Sequence, residues 1–375
     1  MLKFCRRILY SWTFITPSHN NVIKRYLISP GPLGLVQFDE DRRLCRKKIY
    51  HMKDQFLRNL GEKLGDGEYI FKEDVAALLY LTDKNDDFDF VSEVIRRYQK
   101  LVKKKTFIKE YPVGAVVLQM LYINEREDLA FKMFLHEEKS INSLYRHREC
   151  FMIMMDMLYE KEQFEDIISL IYTCENYIGK MPEIVNIVLA SFYRMNSKES
   201  LQQMLNYLNE LTNDPWQLSN RCAMLCCMLA YKQGEIELSL EMIQLPIFEV
   251  NRKKLVSPID NIKILAYIEL GRVEDAVEIL KDAMINYPQP ANLFFDDVLT
   301  VLETAVHELG DKEFEATYQE ISSSLRGSGF VFPSLLEHYI LRPISFKEFS
   351  RLCGANNIYM KHYRQSKERS YTDLT

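Results

Sequence analysis

Residues 261–284 read NIKILAYIELGRVEDAVEILKDAM, and this stretch decides the fold. Its first half is an apolar run that ends at Tyr267, and a short polar turn, IELGR, follows. The second half carries apolar residues at helical i, i+3, i+4 and i+7 spacing, namely Val273, Ala276, Val277 and Leu280. Two apolar segments joined by a polar turn predict two antiparallel helices, that is, a helical hairpin.

The same apolar run ending in tyrosine recurs along the chain. Its six copies end at Tyr80, Tyr122, Tyr159, Tyr193, Tyr231 and Tyr267, spaced 42, 37, 34, 38 and 36 residues apart. A hairpin of about 35 residues cannot bury its apolar face alone, so neighbouring hairpins must stack. We therefore predict an all-α fold, a right-handed superhelical solenoid of about six hairpins over residues 70–290. The tyrosines are interpreted as packing residues, with a ligand-binding ladder as the alternative.

The segments outside the repeats have a different composition. Residues 39–66 predict a basic leading helix, and residues 291–345 predict a C-terminal helical cap. Residues 355–375 are polar, and we expect them to be disordered. The scarcity of Gly and Pro, 13 and 12 in 375 residues, agrees with a helical chain.

The eight cysteines include no CxxC pair and no second ligand pair for a structural zinc site. We predict buried thiols and a reducing compartment. No uninterrupted apolar run approaches the roughly 18 residues that cross a bilayer, so we predict no membrane span.

The N-terminal segment is basic. Residues 1–38 contain no Asp or Glu, and their cations are dispersed among apolar residues, Ser and Thr. This pattern is typical of mitochondrial matrix targeting. A secretory signal would instead have a continuous apolar core, which this segment lacks. We predict that residues 1–30 are a mitochondrial presequence, removed after the stretch 24–29, and that the protein works in the matrix. A basic arm without targeting function is the alternative.

Charge is unevenly distributed. Residues 1–109 hold 22 Lys/Arg and 14 Asp/Glu, a net charge of +8, whereas residues 110–375 hold 26 and 39, a net charge of −13. Lys and Arg supply most nucleic-acid affinity by neutralising phosphates, so a nucleic-acid ligand would make its phosphate contacts in the basic third. The candidates on the leading helix are Arg42, Arg43, Arg46, Lys47, Lys48 and Lys53. Those at the end of the first repeat are Arg96, Arg97, Lys100, Lys103, Lys104, Lys105 and Lys109. A solvated charged face is the alternative for each cluster.

No pattern indicates an enzyme. The histidines are scattered, and the chain has no phosphate-binding loop, dinucleotide fingerprint or nucleophile elbow. Asp296 and Asp297 alone could suggest a metal-dependent nuclease, but we expect them on the solvent face of a helix. We predict no catalysis, no cofactor and no bound metal.

The hairpin at 261–284 resembles a degenerate pentatricopeptide repeat, and no unit has the Trp, Leu-Gly and Tyr pattern of tetratricopeptide repeats. FLRNLGEKL at 56–64, VIRRY at 94–98 and MMDMLY at 154–159 resemble a mitochondrial branch of the pentatricopeptide repeat family in animals. The C-terminal order FFDDVLTVLE, then YQEISSSLRGSGFV, adds to this resemblance. It implies an RNA-binding adaptor without enzymatic activity, required for maturation, processing or stability of mitochondrial transcripts and hence for the respiratory chain.

Repeats of this family read bases with a polar side chain near the start of each first helix. Asn186 and Asn261 fit that position, while Met152, Met224 and Ala115 stand there in other units. The apolar residues at this position argue against a modular base code. The expected partners are single-stranded mitochondrial RNA and an RNA-processing enzyme or a ribosomal protein. The alternative is a protein-interaction solenoid of ribosome or respiratory-complex assembly that does not bind RNA directly.

Overall fold

A computed structural model describes residues 27–104, 113–135, 143–173, 181–211, 218–248, 258–286 and 293–344. The chain divides into two compact units. Among the described residues, the first unit comprises those within 27–187 together with 343–344, and the second comprises those within 188–342.

The first unit is a series of helical hairpins. Its helices are α1 (Leu35–Ile49), α2 (Lys53–Gly65), α3 (Lys72–Leu81), α4 (Phe88–Lys104), α5 (Val113–Ile123), α6 (Glu127–Phe134), α7 (Arg148–Glu160) and α8 (Phe164–Thr173). Single 3-10 turns occupy Tyr50–Met52 and Ser143–Tyr145. Helix α3 packs on α4, α5 on α6, and α7 on α8. The boundary between the units falls inside α9 (Pro182–Met195).

The second unit repeats this arrangement. Its helices are α10 (Lys198–Leu211), α11 (Asn220–Lys232), α12 (Ile236–Ile243), α13 (Asp260–Glu269), α14 (Val273–Asn286), α15 (Asp296–Leu309), α16 (Lys312–Gly327) and α17 (Leu336–Ile340). Helix α11 packs on α12, α13 on α14, and α15 on α16. Two short strands, β1 (Phe294–Phe295) and β2 (Val331–Phe332), pair in parallel.

The predicted all-α repeat architecture is confirmed. All six tyrosines lie near the C-terminal end of the first helix of a hairpin, in α3, α5, α7, α9, α11 and α13. In α14, Val273, Ala276, Val277 and Leu280 are buried, as their spacing predicts. The handedness of the superhelix stays a prediction.

The tyrosines pack in the repeat, and several of their hydroxyls also donate a hydrogen bond to a carboxylate. Tyr193 is buried and its hydroxyl donates to Glu337 Oε1 at 2.9 Å, while Tyr122 donates to Asp156 Oδ2 at 2.9 Å. Periodicity predicts the apolar packing but not these polar partners, because they come from other parts of the chain.

The basic leading segment is not one continuous helix. It begins at Leu35 and is interrupted by the 3-10 turn Tyr50–Met52. Ile49, the residue before this turn, has a non-helical φ of −128°. No glycine or proline stands within this turn. Helix-breaking residues are the main sequence signal for such an interruption, so the prediction of one helix over 39–66 missed it.

The end of the predicted presequence belongs to the folded first unit. Leu27 and Ile28 are fully buried, and Ile28 forms a parallel bridge with Ile344. The predicted boundary at residue 30 therefore includes residues that the fold uses. Residues 1–26 lie outside the described residues, as does the tail 355–375 that we expect to be disordered.

The cysteine and aspartate predictions have different outcomes. Cys150, Cys222, Cys226 and Cys227 are buried free thiols, as predicted, and Cys45 is half-buried. The pair Asp296 and Asp297 is not simply solvated. Asp296 forms an ion pair with Arg326, and Asp297 accepts a hydrogen bond from the Leu336 N–H at 3.1 Å, so both hold the cap together.

Candidate nucleic-acid interface

One face of the basic helix α1 packs across the C-terminal end of α3. Arg42 Nη2 donates to the Thr82 carbonyl at 2.9 Å, and Arg46 Nε donates to the Tyr80 carbonyl at 3.0 Å. The last carbonyls of a helix have no partner within the helix, and its dipole attracts positive charge there. The two arginines therefore satisfy the end of α3 and fix α1 against it.

Asp83 forms ion pairs with three cations of this face. Its carboxylate accepts bonds from Arg46 at 2.6 Å, Arg42 at 3.1 Å and Lys53 at 3.3 Å. Lys53 also binds Asp86 at 2.6 Å. Burial alone would raise the pKa of Asp83, but the bonds and charges of Arg46 and Lys53 hold this pKa below its ordinary value. Arg42, Arg46 and Lys53 therefore serve the fold.

The opposite side of α1 is exposed. Arg43, Lys47 and Lys48 lie on it, and none of them forms an ion pair within the described part of the chain. Successive residues of a helix point about 100° apart, so Arg43 and Lys47 face away from α3 while Arg42 and Arg46 face it. These three exposed cations, which we call the α1 cation patch, can meet phosphates without breaking a contact of the fold.

The second predicted cluster is divided in the same way. Arg96 binds Glu93 at 2.5 Å, and Arg97 Nη2 donates to the Gly67 carbonyl at 2.8 Å. Lys100 is exposed. Lys103 and Lys104 belong to α4, but their side chains lie outside the description, as do Lys105 and Lys109 entirely.

Asn261, one of the two predicted base readers, is fully buried in the second unit. Its Nδ2 donates to the carbonyls of Pro258 at 2.9 Å and Leu293 at 2.8 Å. Its Oδ1 accepts the Phe295 N–H at 3.0 Å. Both amide hydrogens are used inside the protein, so Asn261 joins the start of α13 to the strand before α15 and presents no donor to a base.

Asn186, the other predicted base reader, is 1% exposed in the first unit. Its Nδ2 donates to the Pro182 carbonyl at 2.7 Å, within α9. Glu183, one turn earlier, is buried beside Arg148, with which it forms an ion pair. Burial raises the pKa of Glu183, and the charge of Arg148 opposes that rise. The side chain of Asn186 is thus held within the unit, away from solvent.

The described residues contain no group of three or more His, Cys, Asp or Glu side chains placed to hold a metal ion. Within the same residues, no helix has the length and apolar character needed to cross a membrane.

Comparison with known proteins gives related sequences over most of the chain. Five of them carry the name "Pentatricopeptide repeat-containing protein 2, mitochondrial". The mouse protein is 26% identical and the match covers 70% of this chain and 67% of the relative. The human protein is 23% identical over 84% and 79%, and the Xenopus laevis protein is 24% identical over 71% and 68%. No protein-family model matches the chain.

The chain is thus similar to pentatricopeptide repeat proteins. The name of these relatives states a pentatricopeptide repeat, and the packed helical hairpins of this chain are consistent with a helical repeat. This agreement supports the resemblance that the segments 56–64, 154–159 and 261–284 indicate.

Proposed function

We propose that the protein is a mitochondrial RNA-binding adaptor that acts in the maturation, processing or stability of mitochondrial transcripts and so serves the respiratory chain. The observation that carries this proposal is the α1 cation patch, Arg43, Lys47 and Lys48, which is exposed and not paired with any described acidic group. The relatives named as mitochondrial pentatricopeptide repeat proteins support the same role. Phosphate contact through such cations is the main source of RNA affinity.

The contact is confined to the basic end of the chain. Residues 110–375 carry a net charge of −13, which repels a polyanion laid along them. Together with the internal bonding of Asn186 and Asn261, this charge favours phosphate contact near α1 over base-by-base recognition along the repeats. An adaptor of this kind holds a transcript at one end and leaves the acidic surface to a partner, such as an RNA-processing enzyme or a ribosomal protein.

The test is crosslinking of the tagged protein to RNA in intact mitochondria, followed by sequencing of the attached RNA. The test variant is Arg43→Glu/Lys47→Glu/Lys48→Glu. The matched control is Lys132→Glu/Lys198→Glu/Lys312→Glu, which makes the same charge change at three exposed lysines outside α1. We expect a footprint on one or a few transcripts, lost in the test variant and retained in the control.

A different result would replace the proposal. The acidic balance of residues 110–375 also fits a basic protein partner. Absence of RNA enrichment over a matrix protein, with stable co-purification of a basic protein after RNase treatment, would establish a protein-interaction solenoid instead.

A further inference from the structure

Tyr50 stands in the turn between α1 and α2 and is 48% exposed. The Arg46 guanidinium lies 5.4 Å from the centre of its ring, and the Lys53 ammonium lies 5.7 Å from it. Aromatic rings attract cations at these distances. The ring is therefore fixed in position while a large part of the residue still faces solvent.

The two cations beside Tyr50 are themselves held in place. Arg46 and Lys53 bind the same carboxylate, Asp83, at 2.6 and 3.3 Å, and Lys53 also binds Asp86. They are thus directed towards α3 and its following turn. Tyr50 consequently needs little ordering when a ligand arrives, which lowers the entropic cost of binding.

Two exposed cations precede Tyr50 along α1. Lys47 precedes Tyr50 by one helical turn, and Arg43 lies one turn before Lys47 on the same side of α1. His51 is exposed beside Tyr50. An accessible ring next to cations that track a phosphate backbone is the arrangement by which proteins bind single-stranded nucleic acid.

We propose that Tyr50 is a stacking platform for one unpaired base of a single-stranded RNA, with Arg43 and Lys47 contacting the adjacent phosphates. The proposal rests on the proposed function and specifies its ligand, because a base within a duplex has no face available to Tyr50. Stacking tolerates all four bases, since each has a π face. The site therefore adds affinity for single strands without supplying a base code.

The experiment measures binding of the full chain to a fluorescent, unstructured RNA of mixed sequence and to the same RNA in a duplex. The variants are Tyr50→Ala and Tyr50→Phe, which remove and retain the ring. The matched control is Phe71→Ala. Phe71 is another exposed aromatic of the first unit, 54% exposed, with the Lys63 ammonium 5.8 Å from its ring centre.

We expect Tyr50→Ala to weaken single-strand binding about 10-fold, while Tyr50→Phe and Phe71→Ala stay within about 2-fold of the wild type. The salt dependence of binding separates stacking from phosphate contact. Tyr50→Ala should keep the wild-type slope of log affinity against log salt concentration, whereas Arg43→Ala should reduce the slope by about 0.7.

Failure of the stacking proposal differs from failure of the proposed function. Wild-type affinity in Tyr50→Ala, together with loss of binding in the Arg43/Lys47/Lys48 charge-reversal variant, would overturn the platform and leave the RNA adaptor intact. No binding by the wild type would overturn both. If both Tyr50 variants lose their fold, photo-crosslinking of the wild type to 4-thiouridine RNA decides: attachment to Tyr50 supports the platform, and attachment only elsewhere overturns it.

Discussion

The carboxylate of Asp156 holds the backbone of Leu27, although 129 positions separate them in sequence. Asp156 Oδ1 accepts the N–H groups of Leu27 and Ile28, both at 2.9 Å, and Oδ2 accepts the Tyr122 hydroxyl at 2.9 Å. Asp156 is fully buried in α7. The start of the described chain is thus fastened to the centre of the first unit through a side chain that periodicity alone would assign to an apolar face.

This fastening predicts where a presequence can end. Loss of Leu27 and Ile28 would remove two fully buried apolar side chains and leave Asp156 buried with one partner. We expect the mature protein to begin at or before residue 27. Mass spectrometry of the N-terminal peptide of protein isolated from mitochondria measures this directly, and a mature N-terminus at Ile28 or beyond would contradict the expectation.

Asp156 should also make stability depend on pH. Burial raises its pKa to about 7, although its hydrogen bonds from Ile28, Tyr122 and Leu27 favour the ionised form, and the charge of Glu160 raises it further. The folded state therefore keeps a proton that the unfolded chain releases near pH 4, so the contribution of Asp156 to stability falls as the pH rises from about 4 to about 7 and then levels off.

Asp156→Asn removes this titration and can still accept the two backbone N–H groups. We expect the free energy of unfolding of the wild type, minus that of the variant, to decrease between about pH 4 and about pH 7. Urea unfolding at a series of pH values measures it. Other titrating groups cancel in the difference, so a difference that rises with pH would contradict the predicted shift.

Neighbouring arginines of α1 should have separable roles. Arg42→Ala/Arg46→Ala removes the bonds to Asp83 and to the end of α3, and we expect it to lower the free energy of unfolding by roughly 1–3 kcal/mol. Arg43→Ala/Lys47→Ala should change it by less than about 0.5 kcal/mol while weakening RNA binding. Urea unfolding and RNA titration of both variants measure the two effects. Equal loss of stability in both would contradict this division.

The repeat could be predicted from the sequence because its signal is local. An apolar face at 3.6-residue spacing must be covered by the next hairpin, whatever the rest of the chain does, and α13 with α14 shows this pattern in 24 residues. The roles of Arg42 and Arg43 could not be separated in this way. They carry the same charge, and only the position of α3 makes one a structural residue and leaves the other exposed.

The same limit applies to Asn261. Counting from Tyr267 places it at the position of a base reader, but its bonding partners, Leu293 and Phe295, lie more than 30 residues further along the chain. Such partners follow from tertiary packing and have no sequence pattern. A polar residue near a helix start can therefore serve either an RNA or the neighbouring segment, and only the three-dimensional contacts distinguish the two.

Asn261→Ala should consequently destabilise the second unit. The change leaves the carbonyls of Pro258 and Leu293 and the N–H of Phe295 without this partner, so we expect a loss of roughly 2–4 kcal/mol. Asn206→Ala, at an exposed position of α10, is the control and should cost less than about 0.5 kcal/mol. Thermal unfolding measures both variants. A stable Asn261→Ala protein that had lost RNA affinity would restore the base-reading role.

The hairpin turn after the tyrosine is a further element of the repeat that responds to substitution. The residue three positions after the tyrosine has positive φ in four hairpins: Glu125, Glu162, Asn196 and Gly234. At Gly234, φ is 81° and a Cβ would meet no atom within 4 Å, so Gly234→Ala has a purely conformational cost. We expect it to lower the free energy of unfolding by about 1–2 kcal/mol, because L-residues are strained in this region.

Gly327→Ala is the control: its site is equally open and its φ is not positive, so it should be neutral or slightly stabilising. Urea unfolding of the two variants gives the comparison, and an equal effect of both would show that backbone strain does not govern the turn.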